Sequence, residues 1–117
     1  MGGVSPRMRK VNELLREVIA EEVLRLKDPR IGFVTITGVD TAPDLRNATV
    51  FCSVMGSEEE RVVSREALQH AAPHIQHAMS GQVRLKYLPR LRFELDDALT
   101  LGQRIEELLH QEDLPDG

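Results

Sequence analysis

Two groups of cations stand out in the sequence: Arg7, Arg9 and Lys10 near the start, and Arg84, Lys86, Arg90 and Arg92 within one short stretch. Long, permanently charged donors of this kind are what contact with a phosphate backbone requires. Taken alone, a basic cluster is more often an ordinary solvated face. Three histidines, His70, His74 and His77, have the spacing of metal ligands on one helix face, but Pro73 falls among them and nothing adjacent completes a ligand set. They read instead as partly exposed side chains flanking a break in a helix. Cys52, the only cysteine, sits in an alternating apolar run and reads as a small core residue. Asp96 and Asp97 would point to opposite faces of a strand, so they do not form a carboxylate pair for acid–base chemistry. The sequence holds no glycine-rich phosphate loop, Gly-x-Ser-x-Gly elbow or zinc-hydrolase motif. The expectation is a binding protein without catalysis and without a cofactor.

The chain that must position these cations has 117 residues, the size of one domain. Its 41% hydrophobic and 29% charged residues are the balance of a folded globular protein. With 3% aromatics and no tryptophan, the core must be aliphatic, and base stacking on an aromatic platform is disfavoured. A single cysteine suits a reducing compartment, and no apolar run is long enough to span a membrane, so a cytoplasmic protein is expected. The net charge of -4 hides an uneven distribution. Residues 82–95 hold four cations against one carboxylate, whereas residues 96–117 hold one cation against seven carboxylates. The body remains basic enough for a polyanionic partner.

Apolar residues from Val11 to Leu26 follow three-four spacing and predict an amphipathic helix over Arg7–Leu26, with Ser5 as N-cap and Asp28-Pro29 as its stop. Ile31–Asp40 is rich in β-branched residues and predicts a strand. Turn residues at Thr41–Leu45 lead into a second strand, Arg46–Met55, whose core face is Ala48, Val50, Cys52 and Val54. Glu58, Glu59 and Glu60 suit the first turn of a helix running to about Ala72. Pro73 then predicts a kink at Ala71-Ala72-Pro73, with a further helix beyond it. Leu91, Phe93 and Leu95 alternate with Arg90, Arg92 and Glu94 as a third strand, and Leu99–Leu109 predicts a short last helix.

The fold class expected from this order is α+β: a single KH-like domain of type II, α-β-β-α(kink)α-β plus a short C-terminal helix, with helices covering one face of a three-stranded sheet. In KH domains a glycine-containing loop holds the nucleic-acid backbone, and here Ala71-Ala72-Pro73 occupies that place. Over residues 7–109 the chain resembles the ribosome-binding factor A family. The resemblance lies in Arg9-Lys10-Val11, Lys27-Asp28-Pro29-Arg30-Ile31-Gly32, Val34-Thr35-Ile36-Thr37, Asp44-Leu45 with Ala48 and Val50, and Ala67-Leu68 with Ile75. It continues through Arg84-Leu85-Lys86, Pro89, Leu91, Phe93 and Asp96. The chain departs from the family pattern at Pro73, at Gln76 and at Arg90, where glycine, arginine and glutamate are usual.

The resemblance implies a KH-like domain over 7–109, an extension at 1–6 and a flexible acidic tail at 110–117. It implies binding to the free, immature small ribosomal subunit and to 16S rRNA near its 5′-end helix, in support of late maturation and processing of that RNA. It further implies a monomer with no membrane partner and an association with a small-subunit GTPase assembly factor. RNA contact is expected from Arg7, Arg9, Lys10, Arg84, Lys86, Arg90 and Arg92. The kink residues Ala71, Ala72, Pro73, His74, Gln76 and His77 are expected to face the RNA. A reading from another class is a cytoplasmic adaptor that binds proteins through its sheet edge or acidic tail and does not bind RNA.

Overall fold

Ser5 and Pro6 open the first helix. In the computed structural model, which describes residues 5–85 and 87–96, the Ser5 Oγ accepts a hydrogen bond from the Met8 N–H at 3.1 Å, and Pro6 begins α1 (Pro6–Arg25). Proline loses nothing at this position, because the first N–H groups of a helix have no internal partner. Leu15, Val18, Ile19 and Val23 turn one face of α1 into the core. The helix ends at Arg25, and Leu26 is already extended before Asp28-Pro29 is reached.

β1 (Val34–Thr41) starts three residues later than the β-branched run suggests. The reason is local. Arg30 donates to the Asp28 carboxylate from its backbone N–H at 2.9 Å and from its Nη2 at 2.7 Å, and the Ile31 N–H reaches the Asp28 carbonyl at 3.0 Å. This turn withholds residues 28–31 from the ladder. β1 pairs antiparallel with β2 (Asn47–Val54), from Val34 opposite Val54 to Thr41 opposite Ala48. The register slips between Ile36 and Gly38, which moves the buried positions of β1 from Ile36 to Val39 and re-aims the strand's end. On β2 the alternation is regular, and Ala48, Val50, Cys52 and Val54 are all buried.

β3 (Arg90–Leu95) lies parallel to β2, giving the order β1-β2-β3. Leu91 and Phe93 enter the core, and Arg90 and Arg92 face away. α1 packs on β1, and α2 (Glu58–Met79) packs on β3, so both helices cover the same sheet face. A capping box closes the start of α2: Ser57 accepts from the Glu60 N–H at 3.1 Å, and the Glu60 carboxylate accepts from the Ser57 N–H at 2.9 Å.

The expected pair of helices meeting at a kink is instead one helix of 22 residues, with Pro73 in its interior. Proline there removes the bond to the Gln69 carbonyl, at a cost of about 3 kcal/mol. Leu68, Ala72, Ile75 and Met79 carry a single buried stripe across the break. Full burial of Ile75 and Met79 alone contributes about 3–6 kcal/mol, which outweighs the lost bond. The Leu99–Leu109 helix and the 110–117 tail lie outside the described residues.

α2 also closes the outer edge of β3. Arg65 Nε donates to the Phe93 carbonyl at 3.0 Å, Gln69 Nε2 donates to the Leu91 carbonyl at 3.0 Å, and Gln69 Oε1 accepts from the Phe93 N–H at 2.8 Å. Two turns farther on, Gln76 Nε2 reaches the carbonyls of Leu88 and Pro89 at 3.0 and 3.1 Å. Backbone groups satisfied in this way are not available to pair with another chain.

Candidate nucleic-acid interface

The pairing register gathers five segments at one end of the domain. Thr41, the last residue of β1, donates its N–H to Asn12 Oδ1 at 2.9 Å and so fixes the start of α1 beside the β1–β2 loop. That loop is closed by the Ala42 and Leu45 N–H groups, which donate to the Asn47 and Ala42 carbonyls, each at 2.8 Å. The Arg90 N–H then donates to the Arg46 carbonyl at 2.8 Å and brings the start of β3 to the same place. The second half of α2 arrives through Gln76. Leu45 has a φ of 64°, a left-handed conformation that costs a residue with a Cβ about 1–2 kcal/mol.

Arg7 and Arg84, from opposite ends of the described chain, line one cleft of about 330 Å³ between α1, the β1–β2 loop and the segment before β3. Both are exposed, and neither has an ion-pair partner among the described residues. Arg90 borders a second cleft of about 310 Å³ with Arg46, Tyr87 and Gln76. The Arg46 guanidinium lies over the Tyr87 ring at 4.6 Å from its centroid, a cation–π contact that orients a charged fork at the surface.

The electrostatics favour an anion. The first turn of α1 holds no acidic residue, and Arg7, Arg9 and Lys10 add their charges to the positive end of the helix dipole. Each such cation opposes the helix by about 0.3–1 kcal/mol and raises the local potential for a phosphate.

The structure sorts the expected contact residues. Arg9 and Lys10 are exposed on the first turns of α1, and Pro73, His74 and His77 are exposed on α2. Arg92 lies on the open sheet face, its Nε 2.7 Å from the Glu94 carboxylate. Lys86 lies outside the described residues. Of the kink residues, one is not oriented as expected and another is already partly engaged. Ala72 is 6% exposed and belongs to the core, because it falls on the inner stripe of α2. Gln76 commits its amide nitrogen to the chain's own backbone at the entry to β3. Ala71 is half-buried against the core cluster.

Arg46 is not in the set expected from sequence. Its place beside Arg90 follows from the β2–β3 register, which links residues far apart in sequence. Cys52 is fully buried, and burial pushes its thiol up to about 11, so it is not an available nucleophile. Among the described residues no three histidine, cysteine, aspartate or glutamate side chains gather as a metal site. Among them, too, no helix is long and apolar enough to cross a membrane.

Comparison with known proteins matches residues 7–109 to the sequence profile of the ribosome-binding factor A family. Ribosome-binding factor A of Rubrobacter xylanophilus is 46% identical over 114 residues, covering 95% of this chain and 91% of that one. The protein of the same name from Halothermothrix orenii is 44% identical over 104 residues, covering 88% and 85%. The crystal structure of ribosome-binding factor A from Thermus thermophilus superposes with a TM-score of 0.68 at 28% identity, covering 75% of this chain and 94% of that one. Coordinates of the Thermus thermophilus factor, fitted as a homology model into a cryo-electron microscopy map of its complex with the 30S subunit, give a TM-score of 0.60 at 31% identity, covering 72% and 89%.

Proposed function

The chain belongs to the ribosome-binding factor A family, and from that premise we propose that it is a ribosome assembly factor that binds the immature small subunit through the end of the domain where Arg7, Arg46, Arg84 and Arg90 converge. It contacts 16S rRNA near the 5′-end helix and assists late maturation and processing of that RNA without catalysing a reaction. The observation that carries this reading is the meeting of Arg7 and Arg84 across one cleft, with no carboxylate among the described residues that line it. The relative fitted into a 30S complex supports the choice of partner.

The mechanism is selective binding. A factor that holds one RNA arrangement better than another shifts the population toward it by no more than its difference in affinity for the two. Release therefore requires an event that lowers affinity for the finished subunit. A small-subunit GTPase assembly factor is the partner we assign to that step, with the protein acting as a cytoplasmic monomer.

The test is co-sedimentation of the pure protein with free small subunits, comparing the wild type with the Arg7→Glu/Arg84→Glu double variant. Loss of association by a variant that melts like the wild type supports the reading. Undiminished association overturns it. An adaptor that ignores RNA would instead bind naked rRNA no better than background, with no dependence on salt.

A further inference from the structure

The cleft shared by Arg7 and Arg84 is built for more than a phosphate. Beside Ser5 and the two arginines its walls are apolar: Met8 and Val11 from α1, Pro43 and Leu45 from the β1–β2 loop, and Leu85 from the segment before β3. The two guanidinium groups stand among these walls, and no carboxylate lines the cleft among the described residues. A site for phosphate alone would gain nothing from five apolar walls. A purely apolar ligand would leave two cations without a counter-charge. One component of RNA presents both surfaces at once, an unpaired nucleotide, whose base has flat apolar faces and whose phosphates are anionic.

The volume of about 330 Å³ lies at the small end of the ~300–1,000 Å³ range of ligand sites. That admits one planar ring system. A base held in a duplex cannot enter, because its faces are covered by its neighbours in the stack.

We propose that this cleft seats the base of a single unpaired nucleotide in RNA, with Arg7 and Arg84 on its flanking phosphates. Among the described residues no aromatic lines the cleft, so the base is clasped between aliphatic side chains rather than stacked on a ring. The proposal rests on the reading that this end of the domain binds RNA, and it adds a preference for unpaired RNA over duplex at equal charge.

The experiment uses the full chain and two RNA probes of equal length and phosphate number. One is a hairpin with a single bulged 2-aminopurine, and the other has the same residue fully paired. Wild-type protein is expected to bind the bulged probe about fivefold to tenfold more tightly, the lower part of the range for seating one base, with a change in 2-aminopurine fluorescence on binding. Leu45→Gly removes one wall at a backbone conformation glycine adopts freely, so the fold is retained. It should cut the preference to less than about twofold while leaving duplex affinity unchanged. Met8→Ala should do the same from the opposite wall. Equal affinity of the wild type for both probes, or full preference retained by both variants, overturns the proposal and leaves the RNA-binding reading standing. Absence of binding to either probe overturns both.

Discussion

Replacing Arg7 and Arg84 together with glutamine tests whether the cations of the shared cleft act on phosphate, and the size of the effect can be worked out beforehand. Log affinity for RNA falls with log salt by about 0.9 for each phosphate neutralised on a duplex and about 0.7 on a single strand. Two lost contacts should therefore flatten the slope by about 1.4–1.8, so that a fourfold rise in salt shrinks the advantage of the wild type by about 7- to 12-fold. Fluorescence anisotropy with a 16S rRNA fragment at about 50 and about 200 mM salt reads this directly. The fold should not suffer, because both side chains are exposed and unpaired among the described residues. Arg7 in fact opposes the dipole of α1, and its removal should return about 0.3–1 kcal/mol. That raises the melting temperature by up to a few degrees. Parallel salt lines for variant and wild type would refute the reasoning, since the two arginines would then lie away from phosphate whatever the absolute affinities.

Gln69→Leu should cost about 1–3 kcal/mol in chemical denaturation, because it strips the Leu91 carbonyl and the Phe93 N–H of their partners on the edge of β3. It should also induce concentration-dependent association visible by sedimentation velocity, as an opened edge invites pairing. Pro73→Ala should stabilise the protein by up to about 3 kcal/mol, since α2 already runs through this position as one helix. A loss of stability would show that the proline ring makes contacts worth more than the missing bond. The Asp28 carboxyl is held down at about 2, against 3.8 ordinarily, chiefly by hydrogen bonds from the Arg30 side chain. Its folded pKa is depressed, so its contribution is present above about pH 4 and lost as pH falls toward about 2. Asp28→Asn should lower stability at neutral pH and make no difference in acid unfolding below about pH 2.

What could be read from the sequence was what depends on near neighbours. The cap at Ser5, the face of α1, the alternation of β2 and the inward Leu91 and Phe93 each follow from residues within a few positions of one another, and each is observed. The departures arise where distant residues decide. Local rules break a helix at Pro73, but the buried stripe of Leu68, Ala72, Ile75 and Met79 holds it together, and burial is set by a sheet the local pattern cannot see. The same stripe takes Ala72 out of the surface. Gln76 reads as free to meet RNA because its partners, the carbonyls of Leu88 and Pro89, become neighbours only when β3 docks. Arg46 enters the site by the same route, through the register that sets Asn47 opposite Arg90.

The two ends of the domain differ in how well they obey local rules. At the end where β2 leaves the sheet, α2 begins with a full capping box and three carboxylates in its first turn, and Asp28 and Arg30 satisfy each other. At the opposite end, α1 begins with three cations against its dipole, Leu45 sits at a positive φ and Pro73 removes a backbone bond inside α2 beside Arg90. Each of these costs stability, by about 0.3 to 3 kcal/mol on the usual scales. Local rules tend to be broken together where binding rather than stability sets the residue, and the strain here is concentrated on the residues that border the arginine-lined clefts. On that account, variants that repair it, such as Leu45→Gly and Arg7→Gln, should leave the domain as stable or more so while weakening its hold on unpaired RNA. Repairs that improve both would break the link between the strained end and its ligand.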